Sequence, residues 1–412
     1  MTSKISCCKM IKNAVKRRLW YGAVLFLGFF VMLPLSAMLR LESKSRIETV
    51  YAMEDPQTLA RHLKAVQAQF LRFVGGGDYL VMMAVLGAAL LGAWCGLYWL
   101  HSRKKMDLTG SLPVRREKIF LSESLATLIL FLVPYFVNVV LELLVGAAKG
   151  IMTKEVFPMV FAGIGLNLFY FIVLYFCAAA AMLLTGKILT GILGTLVFLV
   201  IGPATYGILL VMPSAFWKTY VNMSETGSAA VAYLSPAGSF MVAVSRMEHW
   251  ITWEGQNLNL IPSLISGLIM CLIFGGLSVW LMKIRPAEGA ENSMAFPTTE
   301  GVIKALILYP LSLGGGIFFM ALGTSRYDLG EKPWFWFGLF FTLIVGSILI
   351  EVIYHFDRKM IFGHQMWTGI SMAAVVITAA VFSFDMVGYD HWLPDSEEAA
   401  GMALCADPYY CE

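Results

Sequence analysis

"PMVFAGIGLNLFYFIVLYFCAAAAMLL" fills residues 158–184 and holds no charged side chain in 27 positions. About 20 apolar residues, each rising ~1.5 Å, cross a ~30 Å hydrocarbon layer as a helix. In lipid the backbone groups must be satisfied within the segment, so the stretch reads as a spanning helix and not a strand. Eight further windows of the same character lie outward from it, at 19–39, 79–100, 119–147, 190–211, 261–282, 305–323, 334–354 and 367–389. The fold class expected is therefore all-α: a polytopic integral membrane helical bundle of about nine transmembrane helices. The window at 119–147 is long enough to tilt or to begin in the interface. "WFWFGLFF" at 334–341 carries the aromatic enrichment of a membrane boundary.

Composition agrees. The chain is 58% hydrophobic and 14% charged, where soluble domains are near half apolar and a quarter charged. Its mean hydropathy is +0.73, and a lipid-facing surface absorbs this excess. The net charge of +3 gives no basis for nucleic-acid binding, and no nucleic acid is expected as a partner. No linker, internal repeat or low-complexity stretch divides the chain. One membrane domain over 1–389 and a short acidic tail over 390–412 are expected.

The basic residues set the orientation. With a cytoplasmic N-terminus, the inside segments hold 18 Lys/Arg and the outside segments 12, although the outside segments are longer. Most of the inside charge lies at Lys4–Arg18, Arg103–Lys118 and Lys283–Lys304. The tail after the ninth window has no Lys or Arg beyond Pro394, which fits the outside; a count of eight would return it inside. The apolar run at 19–39 exceeds the 7–15 residues of a secretory signal core, so it reads as a retained anchor. A plasma-membrane, multi-pass protein is expected, with its C-terminus extracellular.

Between the spans, residues 1–18 set Ile5, Met10, Ile11 and Val15 among Lys9, Lys12, Lys16 and Arg17. This segment reads either as an amphipathic helix in the headgroup plane of the lipid bilayer or as a solvated basic end. Asp55 and Pro56 open a helix that puts Leu59, Leu63, Val66 and Phe70 on one face, lying on the outer surface. The glycine triplet at 75–77 reads as a hinge, and that at 314–316 as a close-packing patch. Ser235 and Pro236 start a short outer or re-entrant helix with Phe240, Val244 and Met247 on one side. Cys95, Cys177 and Cys271 read as packing residues. Cys405 and Cys411 are the pair that would share the outside, free or bridged.

Motifs of catalysis are missing from the sequence. Gly186-Lys187 is the only Gly-Lys pair, and it has neither the preceding glycine nor the following Ser/Thr of a phosphate-binding loop. The six histidines form no H-E-x-x-H and no i, i+4 pair, and there is no G-x-S-x-G. A non-catalytic chain without a cofactor of its own is expected. Polar residues inside the spans are then the functional candidates, because an ionisable or amide group in lipid is costly and often marks a pathway. Asn138, Glu142 and Asn167 are the candidate pathway-lining residues. For Glu142, Glu351 and Asp385 the simpler reading is a group near a helix end, within reach of headgroups or water. Pro134, Pro203 and Pro310 are expected to kink their helices.

One segment carries more charge than orientation needs. "HSRKKMDLTGSLPVRREKIF" (101–120) places six Lys/Arg in its first eighteen residues. Ser111 and Pro113 read as a helix start, followed by Arg115, Arg116, Glu117 and Lys118. A short, charged, capped element at the membrane face suits docking of a soluble partner. The segment resembles the permease subunits of ATP-binding-cassette (ABC) type 2 exporters, in a branch common in Gram-positive bacteria. "RPAEGAENSMAFPTTEGVIK" (285–304) resembles that branch's "R-x-x-E-x-A-x-x-x-x-A-F" segment, and "FDMVGYDHWLP" (384–394) its motif after the last span. The resemblance implies a separate cytoplasmic ATPase subunit, binding ATP and magnesium, that docks on 101–118. Leu112, Pro113, Arg115, Arg116 and Glu117 would form the coupling element. It also implies a second permease copy or paralogue, and export of a drug, peptide or other lipophilic substrate by alternating access. The chain stops about eighteen residues past Pro394, short of the outer domain many such proteins carry. The other readings are a membrane sensor or receptor, or a secondary carrier, for which no inverted repeat or paired broken helices are visible.

Overall fold

The computed structural model describes residues 7–42, 56–111, 113–152, 156–220, 230–252, 258–323, 331–355 and 364–391. These residues are helical, with no strand among them, and nine of the helices are long and apolar enough to cross a membrane. The fold is an all-α helical bundle of the polytopic membrane class. In chain order we label α1 (Cys7–Arg17), α2 (Leu19–Glu42), α3 (Pro56–Val74), α4 (Tyr79–Leu97), α5 (Arg103–Gly110), α6 (Arg116–Ala148) and α7 (Val156–Leu184). There follow α8 (Ile188–Phe216), α9 (Pro236–Thr252), α10 (Ile261–Ile284), α11 (Glu300–Gly323), α12 (Glu331–His355) and α13 (Gln365–Ser383). The ninth window was read to 389, but its helix stops at Ser383, where Asp385 takes a left-handed φ of 47°.

The chain packs as two compact units that no linker in the sequence marks. The first comprises residues 1–200 and 232–296, the second 201–231 and 297–412. In the first, α7 is the central helix: 78% of its apolar window is buried, against 17% for α10. Small residues Ala178–Ala181 let neighbours approach it. Phe171 of α7 stacks on Phe131 of α6 with centroids 3.9 Å apart. Around it, α6 packs on α1 and α2, and α7 on α4 and α10. In the second unit α11 packs on α12 and α13.

Local sequence explains several details. α3 begins at Pro56 and buries Val66 and Phe70; Asp55, which was read as its cap, lies outside the described residues. α9 begins at Pro236, with Ser235 accepting from the Gly238 amide, and buries Phe240, Val244 and Met247. Pro134, Pro203 and Pro310 all sit inside helices. Pro34, not singled out from the sequence, lies in a π-helical turn at Val31–Leu35. Such turns are a common way for a helix to absorb a residue that cannot donate.

The triplet at 75–77 is not an open hinge. Gly76 has φ +74°, and the turn lies against Gly163 of α7 so closely that no side chain fits on either side. A Cβ on Gly163 would come within 2.8 Å of the Gly75 oxygen and the Gly76 nitrogen. Gly163→Ala is expected to lower stability by ~1–3 kcal/mol through overpacking. Gly165→Ala, two residues on and facing open space, is expected to be neutral or to gain up to ~1 kcal/mol. Thermal unfolding of the detergent-solubilised chain compares the two.

Candidate functional site

The polar residues within the spans of the first unit lie in its interior. Asn138, Glu142 and Asn167 are all at or below 1% exposure. Asn138 donates through Nδ2 to the Pro134 carbonyl one turn back (2.8 Å) and to the Phe26 carbonyl of α2 (3.2 Å). Asn167 donates to the Tyr135 hydroxyl at 2.8 Å, joining α7 to α6. Asn138 Oδ1, Asn167 Oδ1 and both Glu142 carboxyl oxygens have no hydrogen-bond partner among the described residues. Glu142 borders a cavity of about 10 Å³, shared with Arg40, Val66 and Phe70, which is room for about one water. The placement at a helix end in reach of water does not describe Glu142, because α3 and the end of α2 cover it.

In the second unit, Glu351 is also buried, with Lys304 Nζ 2.8 Å from its Oε1. His364 stands 3.4 Å from Glu351 and 3.6 Å from Glu300. Asp385 lies beyond its helix and accepts from the Tyr389 and Asp390 amides at 2.8 and 2.9 Å. Asp390 in turn accepts from the amides of Lys218 and Thr219 and from the Thr219 hydroxyl. Tyr389 stacks on Trp217. The motif after the last span thus closes a knot with the residues that follow α8. Hydrogen bonds from Thr219 hold the Asp390 carboxyl below its usual range.

A further convergence of polar groups lies on the basic face of the first unit, and its centre is Arg285. This residue is 1% exposed and sits one position past the end of α10. Its Nη1 donates to the carbonyls of Met182 (3.1 Å) and Leu183, and its Nη2 to those of Thr185 (2.8 Å) and Leu100 (3.1 Å). The last four carbonyls of a helix have no donor within it. Arg285 supplies donors to the end of α7 and places its charge where the helix dipole favours a cation. Burial pushes its pKa down to about 10, so the guanidinium stays charged at neutral pH.

The segment that follows is laced to the α7–α8 turn. Gly186 donates to the Ser293 carbonyl (3.1 Å) and accepts from the Glu291 amide (2.9 Å), while the Ala295 amide bonds the Leu184 carbonyl. A side chain at 186 would overlap the carbonyl oxygens of Gly289 and Asn292. The glycine dismissed as a failed phosphate loop is there for this approach. Across the same face, Arg103 donates from Nε to the Ala290 carbonyl at 3.3 Å and pairs with Glu291 at 3.4 Å.

The described residues of the expected coupling element fall on this face. Pro113 and Arg115 are exposed, and Arg115 stands as the residue before α6, in extended conformation. Arg116 donates to the Arg285 carbonyl at 2.6 Å, and Glu117 pairs with Lys283 at 3.4 Å. Leu112 lies outside the described residues. Ser111 does not start the second helix: its hydroxyl donates to the Leu108 carbonyl and closes α5. Two helices, α5 and α6, therefore flank the Pro113 turn. Arg285 and Gly186 were missed as organisers because a cation just past an apolar run is indistinguishable, by sequence, from one that serves only orientation. No protein-family model, curated protein or solved structure matches the chain.

Arg285→Lys is expected to destabilise the chain by at least ~3 kcal/mol, because an ammonium cannot present the same fork to four carbonyls. Arg115→Gln, on an exposed residue, should stay within ~0.5 kcal/mol; thermal unfolding checks both. For Asp390 the lowered folded pKa means its contribution is present above the ordinary carboxylate range and lost as pH falls through the folded value. A cysteine label at Lys218 should therefore gain mobility in strong acid, and Asp390→Asn should show that mobility without the pH step, as read by spin-label spectroscopy.

Proposed function

We propose that the chain is the membrane-spanning permease subunit of an ABC exporter, driven by a separate cytoplasmic ATPase. The observation that carries this reading is the locking of the α5–α6 element to the ends of the spans. Residues 103–116 are bonded through Arg103 and Arg116 to 285–291, and Arg285 grips the carbonyl ends of α7 and of the turn after α4. Pro113 and Arg115 remain exposed between these anchors, and Lys118 just after them. A partner closing on ATP would press on this surface, and the anchors would pass the movement to the helices as a change of access. The absence of a phosphate-binding loop in the sequence supports a division of labour between chains. A second permease copy or paralogue would complete the pathway, and the cargo class is lipophilic.

Docking and anchoring separate by residue. Arg115 faces the partner, whereas Arg116 holds the Arg285 carbonyl. An exposed ion pair is worth only ~0–1 kcal/mol, but like charges set opposite each other at an interface cost several. Arg115→Glu is expected to reduce recovery of the ATPase with the tagged permease about tenfold or more, at unchanged membrane levels. Lys104→Glu, exposed on α5, should leave recovery near wild type. Equal losses from both would reduce the loop to a generic basic surface, and a normal complex with Arg115→Glu would sink the docking assignment.

A further inference from the structure

A second polar feature of the first unit lies away from the Arg285 centre. Between α1, Arg18 at the junction with α2, the end of α4 and the turn after it, α5 and α6 is a cavity of about 830 Å³, within the range of small-molecule sites. Its charged lining is Lys16, Arg17, Arg18, Lys105 and Glu123. Arg18, buried at the floor, pairs with Glu123 and donates to the Thr127 hydroxyl at 2.8 Å; Arg17 pairs with the same carboxylate at 3.1 Å. Glu123 is thus shared by two guanidiniums. Lys16 is exposed and has no acidic partner among the described residues, and Lys105 rests over the Tyr98 ring at 4.3 Å. The site carries a surplus of positive charge.

Its setting is the membrane boundary. The span of α2 starts at Leu19, the one before α5 ends at His101, and α6 starts at Arg116, so three spans reach the cavity by their ends. Trp20 is exposed at the start of α2, and Tyr98 and Trp99 line the cavity, as aromatic residues do at the headgroup level. The indole N–H of Trp99 has no acceptor among the described residues. Met10, Leu108 and Ile119 add apolar wall, with Leu108 72% exposed. α1 packs along α6 through buried Ala14 and leaves its lysines outward.

We propose that this cavity is a binding site for the phosphate headgroup of an anionic phospholipid. Lys16 and Lys105 hold the phosphate, the Arg17–Arg18–Glu123 cluster fixes the floor, and the acyl chains run along the exposed apolar face of α2. A soluble phosphate shares the headgroup chemistry but has no use for the apolar wall or the boundary position. The inference does not depend on the transporter reading, because it concerns only how this unit meets lipid.

The test uses the full chain, purified in neutral detergent and titrated with phosphatidylglycerol or phosphatidylcholine, with bound lipid counted by native mass spectrometry. Preference for phosphatidylglycerol is expected. Lys16→Gln with Lys105→Gln should weaken its binding about tenfold or more, and Lys16→Gln alone about fivefold. Lys9→Gln with Lys12→Gln, on the same helix but off the cavity, should change it less than twofold. Retention of the lipid in excess inorganic phosphate is the expected result; displacement by phosphate assigns the site to a soluble anion and overturns the lipid. Equal loss from the two lysine pairs, or no preference over phosphatidylcholine, overturns the site altogether. Should the double variant aggregate, the single Lys16→Gln decides.

Discussion

The guanidinium of Arg285 is out of water, and a charge so placed is tolerated only if its donors are used. Four carbonyls use the donors of Nη1 and Nη2, and only the Nε–H has no acceptor among the described residues. Those carbonyls come from residues 182–185, at the end of α7 and just past it, and from Leu100, so with the segment of Arg285 itself three stretches distant in sequence must meet for the charge to be satisfied. The backbone carbonyl of Arg285 then accepts from Arg116, which sets the first turn of α6. The basic face is therefore not a collection of loops. It is one hydrogen-bonded assembly, and the exposed Pro113 turn is presented from it on a fixed base.

The interior of the first unit shows the same dependence on a few polar contacts. Asn138 binds α6 to α2, and Asn167 binds α7 to Tyr135 of α6. In an apolar surround such amide bonds act as specific ties, because dispersion alone favours many arrangements of helices equally. Glu142 has no such tie among the described residues, and burial of a carboxyl without hydrogen bonds is costly. That cost separates it from its neighbours: the two amides donate hydrogen bonds between helices, whereas both carboxyl oxygens of Glu142 lack a partner among the described residues. In the second unit the buried carboxylate of Glu351 has Lys304 against it.

Close backbone contact supplies the rest. Gly163 against Gly76, and Gly186 against Gly289, bring main chains together at distances that any Cβ would prevent. Both sites were visible in the sequence as glycines, and both were assigned other meanings there. A glycine announces that something comes near; it does not say what. The amphipathic helices were more legible. The start of α3 at Pro56 and of α9 at Pro236, and the faces they bury, follow from proline geometry and helical spacing that operate within a few residues.

The nine candidate spans among the described residues all coincide with apolar windows of the sequence, because transfer into lipid depends on the composition of one contiguous segment. Which spans form the core was decided only in three dimensions. The windows of α7 and α10 have mean hydropathies of 2.1 and 2.2, yet 78% of one is buried and 17% of the other. Lipid tails and protein interior are equally apolar, so hydropathy cannot tell a helix that faces one from a helix that faces the other. The division into two units, the grip of Arg285 and the turning of Ser111 back onto α5 belong to the same class. Each depends on which distant segment arrives at a given position, and that is fixed by side-chain shape and hydrogen-bond partners across the chain, not by the local composition that places a helix in the membrane.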